Sequence, residues 1–336
     1  LDHRTFRSGA MIYSGHSSYL FADPLREPAT LLRAFTSQAG KLTDKWKLWR
    51  LSENLKNKSI DSLFESESIS TMAFLRNYGF SDAIIRNFFK PFFSGIFLEN
   101  ELETSARMFQ FIFKMFSEGH AAIPEKGMQA IPEQLLSQLK NSTVHYNAPV
   151  TSIDNTKVAS GLGNFDFEAL IVATDPSSLL SKDANVIEYQ STVNLYFSIA
   201  EENHQGYIGL QTSPSSIINN ISFMTDVASS YAPKGQSLIS VSVVGTPKKL
   251  GKELRDVVLK ELGVMLNKTE DEITFLKSYH IKKALPKLSD PTMKPETMDL
   301  SYGDHVILAG DHLLGGSLNA AMASGRYAVD TLLKNL

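Results

Sequence analysis

The sequence predicts an α/β plus α+β fold, and three patterns predict it. The continuous apolar run Ala169-Leu170-Ile171-Val172-Ala173-Thr174 suits a strand covered on both faces, as in a parallel sheet. Residues 188–245 carry strand signals separated by turn residues, as in an antiparallel sheet with one face on a core. Apolar residues at helical spacing dominate the first third of the chain and its last turns.

The elements follow in chain order. Residues 5–23 alternate loosely around Ser14-Gly15-His16-Ser17-Ser18 and predict a hairpin. From Glu27 to Lys58 the spacing of Leu31, Leu32, Phe35, Leu42, Trp46, Leu48 and Leu51 predicts helix. Ser59 to Gln110 predicts several short helices, with Asp61, Ser81 and Thr104 as N-caps and Gly79 as a stop. Residues 88–116 hold a dense set of phenylalanines, among them Phe88, Phe89, Phe92, Phe93, Phe109 and Phe116. They fit a helical core, since aromatic rings dominate burial. They also fit the wall of an apolar cavity against the sheet of residues 190–244.

Ile131 to Lys140 predicts a short amphipathic helix, with Pro132 in its first turn. The period then changes. Strands are predicted at Val144-His145-Tyr146 and Val150 to Ile153, and a hairpin at Lys157 to Phe167 around Gly161-Leu162-Gly163. Strands are predicted at Val193 to Ile199, Tyr207 to Leu210, Ile217 to Phe223, Leu238 to Val244 and Ile273 to Ile281. Residues 250–266 predict an amphipathic helix. The chain closes with a strand at His305 to Ala309, a loop, and a helix from Leu318 to Leu333.

Composition narrows the function. With 43% hydrophobic and 21% charged residues the chain sustains a packed core. A net charge of −3 with scattered positive charges gives no nucleic-acid footprint. The absence of cysteine excludes disulfides, thiolate metal sites, a cysteine nucleophile and a cysteine-linked flavin, and fits a reducing compartment. No apolar run approaches the roughly 20 residues of a membrane span. Four Asn-x-Ser/Thr triplets, at Asn57, Asn141, Asn220 and Asn267, are too short a pattern to imply secretion. No histidine has metal-site spacing, and no Ser/His/Asp order is legible. Arg76, Arg86 and Arg107 are expected in rim ion pairs, and His312 on a solvent-facing loop.

The stretch Val306 to Arg326 carries the chemistry. A buried strand delivers Gly310 and Asp311 to its carboxyl tip, where ligands bind in open α/β sheets. Asp311 can accept hydrogen bonds from a ligand hydroxyl. Gly315, Gly316 and Ser317 then lead into a helix rich in small residues, whose N-terminus can stabilise an electron-rich group. An Asp-capped, glycine-rich turn would read the same way.

This segment resembles the C-terminal flavin motif of the amine oxidase / phytoene desaturase / protoporphyrinogen oxidase superfamily. Gly310 and Asp311 match the family's Gly-Asp pair, Gly316, Ser317, Asn319 and Ala320 its helix start, and Ser324-Gly325-Arg326 its Ser-Gly-Arg. Pro124-Glu125-Lys126-Gly127-Met128, then Ile131-Pro132, is similar to the family's Pro-x-Gly-Gly-Met and short helix. Val150 resembles the valine that contacts the adenine, and Ala169 to Thr174 the returning strand of the FAD domain. Phe89 to Gly95 and Ile281 to Pro286 resemble segments of the desaturase-like branch. The resemblance implies a partial FAD-binding, Rossmann-like domain. Its cofactor residues would be Val150, Ala173, Thr174, Gly310, Asp311, Gly316, Ser317, Asn319 and Ala320.

The family's N-terminal Gly-x-Gly-x-x-Gly does not occur in these 336 residues, and Gly161-Leu162-Gly163 lacks its context. Because the chain opens at Leu1, that unit is expected to precede residue 1. The chain alone is then expected to hold FAD weakly or not at all and to be inactive. Expected domains are 1–117 and 185–300 for substrate, a mixed helical and antiparallel-sheet domain, with 118–184 and 301–336 for FAD. The implied reaction is hydride transfer to FAD from an apolar organic substrate, in desaturation or isomerisation.

Two rivals stand beside it. In the amine oxidase branch a lysine stands where this chain has Asn194, and an aromatic residue where it has Ser317. A non-catalytic binding protein that keeps the fold is the other. Expected partners are an apolar small molecule, a membrane surface in peripheral contact, and a second copy through an exposed sheet edge. Nucleic acid and metal are not expected, and the expected location is cytoplasmic.

Overall fold

Strict alternation builds the largest element of the molecule. Along Tyr189–Ala200, Val193, Leu195, Phe197 and Ile199 point inward, and along Gln236–Val244 so do Ser237, Ile239, Val241 and Val243. These antiparallel neighbours sit within a seven-stranded sheet. Its order is Thr274–Pro286, Tyr189–Ala200, Gln236–Val244, Asn220–Phe223, Ile208–Gln211, Gly9–Ser14 and Ser17–Ala22. The computed structural model describes residues 1–22, 40–154, 156–180, 187–288, 290–298, 300–302 and 305–335. The part of the predicted first helix at 27–39 lies outside them.

The strands of residues 188–245 pair antiparallel as expected, and the sheet becomes mixed where the hairpin of residues 9–22 joins it. Gly9–Ser14 pairs in parallel with Ile208–Gln211 and antiparallel with Ser17–Ala22, while Ile208–Gln211, Asn220–Phe223, Gln236–Val244 and Tyr189–Ala200 follow one another antiparallel. The hairpin is as predicted, with Gly15 turning between Ser14 and Ser17 at φ 59°. The helix Gly251–Leu266 lays Leu254, Val258, Leu262 and Met265 on the sheet, and they share one core with Phe197, Ile221 and Val241.

The phenylalanines form core. Phe89, Phe93 and Phe109 are fully buried, and the Phe93 and Phe109 rings lie 4.7 Å apart. A π-helical turn at Ile85–Phe89 precedes Lys90–Phe97, so one continuous winding carries Phe88, Phe89, Phe92 and Phe93. Phe21, Phe88, Phe92 and Phe116 remain partly exposed and touch in a row, with centroids 4.7, 5.5 and 5.3 Å apart. The two described cavities, of about 320 and 260 Å³, are lined by other residues, Leu51, Asn54 and Tyr78 in one and Gln211, Ser213 and Glu261 in the other. The reading of Phe89, Phe93 and Phe109 as cavity wall is corrected by their complete burial: their rings are spent on one another.

Smaller expectations are adjusted. Ser105, not Thr104, caps the helix Ala106–Glu118, accepting from the Arg107 N–H at 3.3 Å. Ser81 does cap Asp82–Ile84. Val144 to Tyr146 is not a strand, and Tyr146 is 70% exposed, so no sheet face holds it.

The chain forms two compact units. The first comprises Leu1–Ser59, Ile69–Gln138 and Gln190–Ala284, and the second Ile60–Ser68, Leu139–Tyr189 and Leu285–Leu336. Residues 118–138 belong to the first, because Ala122–Pro124 pairs with His3–Thr5. The second unit contains the parallel pair Leu170–Val172 and Val306–Leu308, the antiparallel sheet Val150–Ile153, Lys157–Ser160 and Gly163–Asp166, and the helix Leu318–Asn335.

Candidate functional site

The site is built from the parallel pair of the second unit. Leu170, Ile171 and Val172 stand opposite Val306, Ile307 and Leu308, and the Ala309 N–H extends the ladder to the Val172 carbonyl at 3.0 Å. Gly310 and Thr174 each follow two residues after the last paired residue of their strands, Leu308 and Val172. The parallel pairing of these two strands is what the sequence predicts.

Three features fix the backbone there. The buried Ser324 hydroxyl accepts from the Gly310 N–H at 2.9 Å and lies 3.1 Å from the Gly310 carbonyl, tying strand tip to helix. Gly310 has φ 149°, and a Cβ on it would lie 2.5 Å from the His312 ring. The Asp311 carbonyl accepts from Leu314 and Gly316 N–H groups at 3.2 and 3.1 Å, closing a short turn before the helix. Ser317 caps that helix, its hydroxyl accepting from the Ala320 N–H at 3.1 Å.

The predicted residues divide into two sets. Gly310, Asp311, Gly316, Ser317 and Ala320 belong to one continuous strand–turn–helix, with Ala320 fully buried against it. Ala173 and Thr174 are exposed just past the neighbouring strand, and Asn319 is exposed in the first turn of the helix. Val150 begins a different sheet that shares no strand with this pair, and it is 38% exposed.

Three groups enter that sequence reasoning did not place here. His312 is only 9% exposed, which corrects the solvent-facing expectation. Its imidazole fills the space that Gly310 leaves, and its Nε2 is buried without a hydrogen-bond partner. Burial pushes the His312 pKa down, and the Asp311 and Asp175 carboxylates oppose that shift. Burial raises the Tyr189 phenol, reinforced by the same two carboxylates. Asp175 is anchored by the Ser177 N–H and hydroxyl at 3.0 and 2.7 Å. The Asp175 and Asp311 carboxylates thus act on both the Tyr189 phenol and the His312 imidazole. The signal in the sequence was Asp175, directly after the apolar run.

Chemically, the arrangement offers an aspartate at a strand tip, a capped helix N-terminus, glycines without side chains, and a buried imidazole nitrogen with open bonding capacity. A flat, polyhydroxylated group with an electron-rich edge fits that set. Among the described residues no group of histidines and carboxylates is placed to hold a metal ion. No described helix is long and apolar enough to cross a membrane. Arg76 and Arg86 are exposed on the first unit. Asn194, on the strand Tyr189–Ala200, is held at 3.2 Å by the Ser240 and Ser242 hydroxyls.

Comparison with known proteins agrees in kind. The family described as flavin containing amine oxidoreductase matches residues 2–333. The fold is similar to that of an oxidoreductase from Methanosarcina mazei, at 16% identity and TM-score 0.71, over 99% of this chain and 82% of that one. It is similar to putrescine oxidase bound to putrescine, at 14% identity and TM-score 0.66, over 99% and 82%. It is also similar to a fatty acid isomerase from P. acnes that produces CLA, at 14% identity and TM-score 0.65, over 99% and 80%. No curated protein matches the sequence.

Proposed function

We propose, from the premise that this chain belongs to the flavin-containing amine oxidoreductase family, that it is the C-terminal portion of an enzyme that acts on an apolar organic substrate by hydride transfer to FAD, in a desaturation or isomerisation. The observation that carries the flavin side is the clamp at Gly310. The Ser324 hydroxyl holds the strand tip against the helix, and Asp311 follows at once.

The assigned roles are these. Asp311 accepts from a ribityl hydroxyl. The capped helix start at Ser317, with Asn319 and Ala320, presents its positive end to the electron-rich part of the ring system. Ala173 and Thr174 line the neighbouring strand tip, Gly316 makes the left-handed turn (φ 55°) that leads into the helix, packed on Leu285 and Pro286, and Val150 contacts the adenine. The His312 Nε2 offers a buried hydrogen-bonding atom beside Asp311. A flavin seated there supplies the redox chemistry, and the protein supplies position and exclusion of water.

Two observations favour an apolar substrate over an amine. The first unit carries the half-exposed row Phe21, Phe88, Phe92 and Phe116, which suits an apolar chain. By the resemblance, Asn194 takes the place of the amine-oxidising branch's lysine, and Ser240 and Ser242 hold its neutral amide. The test is anaerobic: the full-length protein loaded with FAD is mixed separately with polyamines, monoamines, and unsaturated fatty acids or isoprenoids. Bleaching of flavin absorbance, or a shifted double bond in the recovered lipid, is expected with the apolar set alone. Bleaching by amines alone overturns the assignment.

A further inference from the structure

The helix Leu42–Lys56, in the first unit, has apolar residues on both faces. Leu51 and Leu55 are buried, and the buried Lys114 ammonium donates to the Leu55 and Lys56 carbonyls at the helix C-terminus, at 3.0 and 2.8 Å. Asp44 is also turned inward, accepting from the Lys41 N–H at 2.8 Å and from the Ser81 N–H and hydroxyl at 2.9 and 2.6 Å. That inner face is all a helix packed on one side requires.

The outer face is different. Leu42, Trp46 and Trp49 fall at spacings of four and three, so they form one stripe. They are 64%, 55% and 50% exposed. Single exposed apolar side chains are ordinary. An exposed stripe with two indoles is a patch. The Arg50 guanidinium lies over the Trp46 ring, 5.4 Å from its centroid.

Charge names the occupant. Residues 41–58 contain six basic side chains, Lys41, Lys45, Lys47, Arg50, Lys56 and Lys58, against Asp44 and Glu53. Asp44 is buried, and Glu53 is paired with Lys56 at 2.8 Å. The whole chain carries −3, so this segment is a positive island on a negative protein. Tryptophan favours the headgroup level of a bilayer, and basic side chains around it are drawn to anionic lipid. A helix lying in an interface shows this combination.

We propose that the outer face of Leu42–Lys56 docks on an anionic lipid surface, with Leu42, Trp46 and Trp49 in the headgroup region and Lys41, Arg50 and Lys58 on the phosphates. The docking places the first unit against the phase in which apolar molecules dissolve. It stands on its own observations and does not depend on the flavin assignment.

The test uses a property of this sequence. Trp46 and Trp49 are its two tryptophans, so emission excited at the red edge, where tyrosine does not absorb, reports this face alone. The chain is titrated with vesicles of phosphatidylcholine and phosphatidylglycerol in equal parts, and with phosphatidylcholine alone. The mixed vesicles are expected to shift emission to the blue, to quench it when their acyl chains are brominated, and to carry the protein down on sedimentation. Added salt weakens the binding by screening. Arg50→Glu lowers the partition coefficient about fivefold per unit of charge changed. Trp46→Ala/Trp49→Ala abolishes sedimentation while far-UV circular dichroism shows a folded chain. Unchanged emission with mixed vesicles overturns the proposal, and so does equal binding to both vesicle types. A blue shift that grows with protein concentration without lipid assigns the face to a second copy and overturns it too.

Discussion

The two units divide the work unequally. The first places seven strands in one sheet, covers it with the helix 251–266, and buries Leu195, Phe197, Ile221, Ile239 and Val241 completely. The second has one sheet of two strands and one of three. It leaves Val150, Leu162, Phe165, Leu318, Met322, Val329 and Leu333 substantially exposed. A two-stranded pair is marginal by itself in water, yet this is the pair that carries Gly310 and Asp311. The difference teaches where stability and chemistry reside. The first unit is held by its own core, and the second has most to gain from a bound ligand, which adds stability by mass action.

The largest expected effect breaks the first unit. Phe93→Ala empties a fully buried position among Phe89, Phe97 and Phe109, and should cost about 3–5 kcal/mol in denaturant unfolding. A loss below about 1 kcal/mol would mean the cluster is not core. Gly310→Ala acts on the second unit. Its Cβ would meet the His312 ring at 2.5 Å on a backbone with φ 149°, so a loss of about 1–3 kcal/mol is expected. Flavin binding should fail in that variant, while the urea transition of the 190–244 sheet, followed by hydrogen exchange, stays in place.

Ser317→Ala should cost about 1 kcal/mol through the lost helix cap, with Ser317→Asp restoring it. Thermal unfolding of the three proteins decides this.

A smaller effect compares the units through one histidine each. Burial is the first cause that lowers both pKa values, opposed at His204 by Asp226 and Glu202 and at His312 by Asp311 and Asp175. The unfolded chain therefore binds these protons more readily. Stability is full above the unperturbed value of 6.5 and is lost as pH falls below it. His312→Gln should reduce the acid sensitivity of flavin binding, and His204→Gln should not. Equal pH profiles for wild type and His312→Gln would show that the His312 imidazole does not titrate in this range.

Much of this was legible in the sequence, for reasons that differ by element. The strands at 170–172 and 306–308 were readable because apolar runs survive any partner, and the helix after Ser317 because small residues follow a glycine turn. Parallel pairing of Gly9–Ser14 with Ile208–Gln211 was not readable, since alternation does not encode a partner some 200 residues away. His312 was misplaced by the rule that loops run on the surface. Gly310 lacks a side chain, and the nearest ring moved into the gap. Ser324 was read as part of a Ser-Gly-Arg match, but its bond to Gly310 depends on how the helix folds back.

The central claim is that the strand tip at Gly310 and Asp311 seats the flavin. Its most direct test is titration of FAD against the protein and against Asp311→Ala, followed by calorimetry, with Asn194→Ala as the control in the other unit. One hydrogen bond to a charged group contributes about 1.5–3 kcal/mol, and each 1.4 kcal/mol is about tenfold. The account predicts that Asp311→Ala weakens FAD binding about ten- to a hundredfold while Asn194→Ala leaves it unchanged. Equal FAD affinity in wild type and Asp311→Ala would contradict it.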